Sequence, residues 1–125
     1  MLITASAAGL LSQIGSVTYA ATKHATVALA EWISITHGED GIKVSVLCPQ
    51  AVRTPMLRSG EGSVATVDGG MDPDEVAGVV VEALESERFL VLPHAKVAEY
   101  VRRKGEDPER WLAGMRRLQA RYSGT

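Results

Sequence analysis

The sequence predicts an α/β fold built on parallel strands, and three observations carry that expectation. Short apolar or β-branched runs recur at residues 1–5, 42–47 and 88–92. A stretch of helical periodicity stands between each run and the next. The order strand, helix, strand, helix, strand is the pattern of crossover connections, which join parallel strands. At 125 residues the chain suits one domain with one core.

Met-Leu-Ile-Thr-Ala, residues 1–5, reads as the first strand, and the Ser- and Gly-rich residues 6–16 as a loop. An Ala-rich helix is expected from Val17 to His37. Ser16 is placed to cap its first free N–H groups, and Gly38 and Gly41 to close it. Ile42 to Leu47 forms the second strand, stopped by Pro49. Residues 53–71 are glycine-rich with little periodicity and read as a long loop. Asp72-Pro73-Asp74-Glu75 then opens a helix to Ser86, with Asp72 at the cap and Pro73 in the first turn. Arg88 to Leu92 is the third strand, ended by Pro93. Two helices, 95–104 and 108–121, fill the tail, the second opened by Asp107-Pro108-Glu109. Its residues Trp111, Met115, Leu118 and Tyr122 share one face, opposite the arginines.

Composition narrows the function classes. The chain is 46% apolar and 22% charged with a formal charge of −2, so no global basic field favours nucleic acid or anionic lipid. Charge is uneven: residues 96–125 carry a net +4, leaving −6 on residues 1–95. The tail is therefore a candidate docking surface for an acidic partner, or more weakly for nucleic acid. Cys48 has no second cysteine to pair with, the pattern of a reducing compartment. Neither a membrane span nor a secretory signal is legible, and a cytoplasmic location is expected.

The chemistry concentrates in Ser6-Ala-Ala-Gly9 followed by Tyr19-Ala-Ala-Thr-Lys23. Tyr19 and Lys23 are i and i+4 on a helix, so their side chains project from one face. A free phenol titrates near pH 10 and is a poor proton shuttle at neutrality, and a neighbouring ammonium favours the phenolate. Bringing a phenol down by about three units takes about 4 kcal/mol of differential stabilisation, which a partly desolvated lysine and a cationic cofactor ring together can supply. Tyr19 is then a candidate to donate a proton to a carbonyl oxygen or remove one from an alcohol. Ser6, at the carboxyl end of the first strand, is a candidate to hold the same oxygen. Such strand ends are where α/β sheets bind ligands.

These residues resemble the active-site segment of the short-chain dehydrogenases/reductases. Cys48-Pro49-Gln50-Ala51-Val52-Arg53-Thr54 is similar to that family's Pro-Gly-x-Val-x-Thr turn. The resemblance spans residues 1–94, with 95–125 as a helical tail. It implies the carboxyl-terminal part of a Rossmann-like doubly wound parallel sheet, about three strands with crossover helices, as a single partial domain. It implies an NAD(P)-dependent oxidoreductase acting on a small alcohol or ketone, with NAD or NADP as cofactor. Tyr19 is then the acid/base, Lys23 binds the nicotinamide ribose, and Ser6 holds the substrate oxygen. Val52 and Thr54 hold the nicotinamide carboxamide, Val52 through its backbone and Thr54 through its hydroxyl. A homo-oligomer is implied too, since Ala20, Ala21, Ala25 and Ala28 permit close helix approach. The loop 53–71, following the turn, is the expected lid and substrate selector.

The sequence also departs from the family. The Gly-rich first turn that seats the pyrophosphate is absent, as is the residue that chooses between NAD and NADP. The family's catalytic Asn would lie upstream of Met1, and Gln50 replaces the Gly of Pro-Gly. All but the last are expected of a chain that begins mid-fold. The rival reading is therefore a truncated, non-catalytic remnant or interaction module, with an unpaired first strand and poor cofactor affinity.

Other residues have structural explanations. His24, His37 and His94 lack metal-ligand spacing and are expected to be solvated or packed; no metal is implied. Asp72, Asp74 and Glu75 are explained by helix capping, and Cys48 by packing. Gly60-Glu61-Gly62 has neither a strand nor a helix beside it and is not read as a phosphate loop.

Overall fold

The computed structural model describes residues 1–52 and 70–122; most of the expected loop 53–71, including Thr54 and Gly60-Glu61-Gly62, lies outside the described residues. Among the described residues, three parallel strands form one sheet in the order β1-β2-β3, with β1 at Leu2–Thr4, β2 at Ser45–Leu47 and β3 at Leu90–Val91. The register pairs Ile3 with Val46 and Val46 with Leu90. Helix α1 spans Val17–His37, α2 Pro73–Glu85, α3 Ala95–Glu106 and α4 Pro108–Tyr122. This is the expected α/β architecture, although all three strands are shorter than their apolar runs.

Alternation along β2 divides the core between the two faces of the sheet. Val44, Val46 and Cys48 pack with Val27 and Ala30 of α1. Leu47 turns the other way, joining Val91 and the α2 residues Val76 and Ala83. Helices thus cover both faces, and Val46 and Val91 are wholly buried. Fully burying a valine side chain contributes about 1.5–3 kcal/mol. The small residue Ala30, also wholly buried, lets α1 lie close to the sheet.

The helix ends differ in how far local chemistry is used. Ser16 caps α1 as expected, its hydroxyl accepting from the Tyr19 N–H at 3.3 Å. Gly38 does not close that helix by a left-handed turn: its φ of −60° continues into a short 3-10 turn, and Gly41, at φ 86°, reverses the chain. Asp107 caps α4 through the Arg110 N–H at 3.1 Å. Asp72, in the same sequence setting, occupies the cap position of α2 with no side-chain capping bond.

Ala20 departs from the small-residue surface inferred for helix approach: it is buried within the chain's own core, whereas Ala21, Ala25 and Ala28 are exposed. They share one stripe of α1 with Val17, Leu29, Trp32 and Ile35, also exposed. In the tail, the Tyr100 and Trp111 rings meet at 5.8 Å and join α3 to α4. Met115 and Leu118 are half-buried, but Tyr122 is exposed. The arginines are not all opposite this face, since Arg110 and Arg117 line a groove together with Trp111 and Met115.

Candidate active site

Three chain segments leave the carboxyl edge of the sheet side by side, and backbone bonds tie them together. Ala5 N–H donates to the Leu47 carbonyl at 2.7 Å and Ala7 N–H to the Pro49 carbonyl at 2.9 Å. Cys48 N–H donates to the Val91 carbonyl at 3.0 Å. The Ser6 segment, the Pro49–Val52 turn and the β3 end therefore form one rim. Ligands of parallel sheets bind at such rims.

Ser6 is buried and caps the 3-10 turn Ala7–Gly9, its Oγ accepting from the Ala8 N–H at 3.1 Å. An accepting hydroxyl keeps its own hydrogen to donate elsewhere. Gly9 seats that turn on α1. A Cβ there would stand 2.6 Å from Val27 Cγ2 and 2.8 Å from the Lys23 carbonyl oxygen, closer than any side chain tolerates. The glycine of Ser-x-x-Gly thus brings the Ser6 turn against the helix at the level of Lys23.

Tyr19 lies in the first turn of α1 and is 42% exposed. Lys23 is half-buried, with Nζ 5.6 Å from the centre of the Tyr19 ring. The i,i+4 spacing has therefore placed the ammonium beside the phenol. The α1 face that carries this pair is distinct from the exposed apolar stripe.

Val52 is half-buried, forms a parallel bridge with Met71, and packs on the core beneath α2. Met71 N–H donates to the Ala51 carbonyl at 3.0 Å. Among the described residues the only non-glycine at positive φ is Glu87, so Gln50 occupies the family's glycine position without left-handed backbone. Thr54 lies outside the described residues, so the turn is seen only as far as Val52.

Two further residues shape this rim. Cys48 is buried, and burial pushes its thiol up to about 11 from 9.0, against a smaller opposing effect of a hydrogen bond from the Ser6 backbone. His94 is buried and spans the turn: Gln50 N–H donates to Nδ1 at 3.0 Å, and Nε2 lies 2.9 Å from the Ala51 carbonyl. From sequence alone His94 is expected only to be solvated or packed. Its place directly after a strand-ending proline, at the ligand-binding edge, was the available signal. His24 and His37 have local partners, Nδ1 of His24 meeting the Ala20 carbonyl and Nδ1 of His37 meeting Asp40. The tail also reaches the rim, where Lys104 Nζ donates to the Leu10 carbonyl at 3.1 Å.

The family model described as short chain dehydrogenase matches residues 1–63. The chain is 36% identical over 111 residues to a 1-deoxy-11-beta-hydroxypentalenate dehydrogenase of Streptomyces exfoliatus, covering 86% of this chain and 39% of that protein. A short-chain dehydrogenase/reductase from Burkholderia phymatum, solved in complex with NAD, is 30% identical with a TM-score of 0.67, over 86% of this chain and 47% of that one. A short-chain dehydrogenase from Sphingobium yanoikuyae, in complex with NADPH, shares the fold at 22% identity and a TM-score of 0.67, over 99% of this chain and 44% of that one. The chain spans about two fifths of the length of the curated relatives first matched, 39% and 40% of two pentalenate-type enzymes.

Proposed function

The chain belongs to the short-chain dehydrogenase family, and on that premise we propose that it supplies the proton-transfer site of an NAD(P)-dependent oxidoreductase of small alcohols or ketones. The observation that carries this reading is the convergence of the Ser6 turn on the Tyr19–Lys23 helix through Gly9.

The residues present fit the nicotinamide end of such a cofactor. Lys23 is half-buried beside Tyr19 and able to bond a ribose hydroxyl. His94 engages the Gln50 N–H and the Ala51 carbonyl and pins the turn, and the Val52 backbone is the proposed carboxamide partner, with Thr54 as the expected hydroxyl partner. When bound, the cofactor supplies or accepts the hydride. In reduction, Ser6 Oγ donates to the carbonyl oxygen and orients it, and Tyr19 Oη delivers the proton that completes the alcohol. In oxidation Tyr19 takes that proton back. Residues 1–94 are taken as the catalytic part of a single domain and 95–125 as its helical tail.

NADH oxidation in the presence of a panel of ketones tests the reading, with Tyr19→Phe as the control. Turnover that falls at least a hundredfold in the variant supports it, and undiminished turnover removes the assignment.

A second reading is favoured by one observation. Leu29, Trp32 and Ile35 are 54%, 57% and 82% exposed along a single stripe of α1. A contiguous exposed apolar stripe marks an interaction surface, so the chain would act as an interaction module, self-association included. Stable association without NADH binding would favour this alternative over the enzyme.

A further inference from the structure

We propose that His94 is a positioning residue for the cofactor turn, holding Gln50 and Ala51 in the conformation that presents Val52; the role rests on the oxidoreductase reading above. The two ring nitrogens do opposite work. Nδ1 accepts the Gln50 N–H at 3.0 Å and so presents its lone pair, which assigns the hydrogen to Nε2. Nε2, 2.9 Å from the Ala51 carbonyl, then donates to it. One rigid, buried ring thereby fixes an N–H and a C=O on adjacent residues of the same turn.

The neighbouring backbone groups are engaged as well. The Pro49 carbonyl accepts from Ala7, and the Ala51 carbonyl accepts from Met71 in addition to His94. Of these bonds, only those of His94 tie the turn to the segment after β3, reaching it across 43 and 44 residues of chain. The ring thus joins the third strand's end to the turn assigned to the nicotinamide. Pro93 precedes it and helix α3 starts directly after it, so the ring is carried on stiff supports. No other side chain of similar size does both jobs. Asparagine can put an acceptor where Nδ1 sits, and glutamine a donor where Nε2 sits, but each covers one bond.

That division gives the test. Long-range 1H–15N correlation of the wild-type chain reads the tautomer, and amide exchange at Gln50 reads the clamp. NADH fluorescence titration reads the cofactor consequence. The expected result is hydrogen on Nε2. Exchange at Gln50 should be about tenfold faster in His94→Leu and His94→Gln, but within about threefold of wild type in His94→Asn. NADH affinity should fall about tenfold in His94→Leu and be largely rescued in His94→Asn. Exchange across α1 is the control for intact folding, and the Asn and Gln variants carry the test if the Leu variant does not fold. Hydrogen on Nδ1, or unchanged Gln50 exchange in His94→Gln, overturns the clamp. Wild-type protein that binds neither NADH nor NADPH overturns the oxidoreductase reading and the cofactor role with it; if only NADPH binds, the same titrations are read with NADPH. Equal NADH affinity in wild type and His94→Leu overturns the role of His94 alone.

Discussion

Gly9 faces the Lys23 carbonyl with no room for a side chain: a methyl group added at Gly9 would lie 2.8 Å from the Lys23 carbonyl oxygen. The contact sets how deeply the Ser6 turn sits on α1. Gly9→Ala should therefore cost about 1–3 kcal/mol by overpacking. Urea unfolding checks the number, and a variant as stable as the parent would show that the turn can move without penalty.

Tyr19 is 42% exposed and Lys23 half-buried, so neither anchors the core. Tyr19→Phe should lower turnover by about 10²–10⁴-fold while leaving the circular dichroism spectrum and Tm unchanged. Lys23→Met should both slow turnover and weaken NADH binding, which steady-state kinetics and a binding titration separate.

Ser6 has two tasks that substitution can divide. Its Oγ caps the 3-10 turn through Ala8 and is proposed to donate to the substrate oxygen. Ser6→Ala should lose about 0.5–2 kcal/mol of stability together with activity. Ser6→Thr, which keeps a hydroxyl, should recover both in part. Full activity in Ser6→Ala would reduce the residue to a cap.

Burial raises the Cys48 thiol from 9.0 to about 11. The folded protein therefore retains this proton at pH values where the unfolded chain has released it. The stability linked to the protonated thiol is intact below pH 9 and is lost as pH rises toward about 11. Urea midpoints measured across that window should fall more steeply for the parent than for Cys48→Ala. Parallel slopes would contradict the assignment.

The start of α1 was readable because its boundary is set by adjacent chemistry, Ser16 bonding the Tyr19 N–H; at its other end the helix stops at His37, but Gly38 continues into a 3-10 turn and only Gly41 reverses the chain. The strands were readable in order but not in length. Pairing of Leu47 with Val91, not the apolar run itself, decides where β3 counts as strand. The motif pair Tyr19 and Lys23 was legible because four residues make one helical turn. Distant partners were not legible: His94 bonds residues 43 and 44 positions away, and Gly9 meets Lys23 on another element. Asp72 and Asp107 make the same point in reverse, since identical local signals gave a capping bond at only one of them.

Titration of isotopically labelled chain with NADH, and in parallel with NADPH, followed at each backbone amide, locates the cofactor on the molecule. Shifts concentrated at Ser6, Tyr19, Lys23 and Gln50 to Val52, with Trp111 to Tyr122 unmoved, are the predicted result. A spectrum unchanged at saturating NADH and at saturating NADPH, or perturbed only along α4, would contradict the oxidoreductase reading.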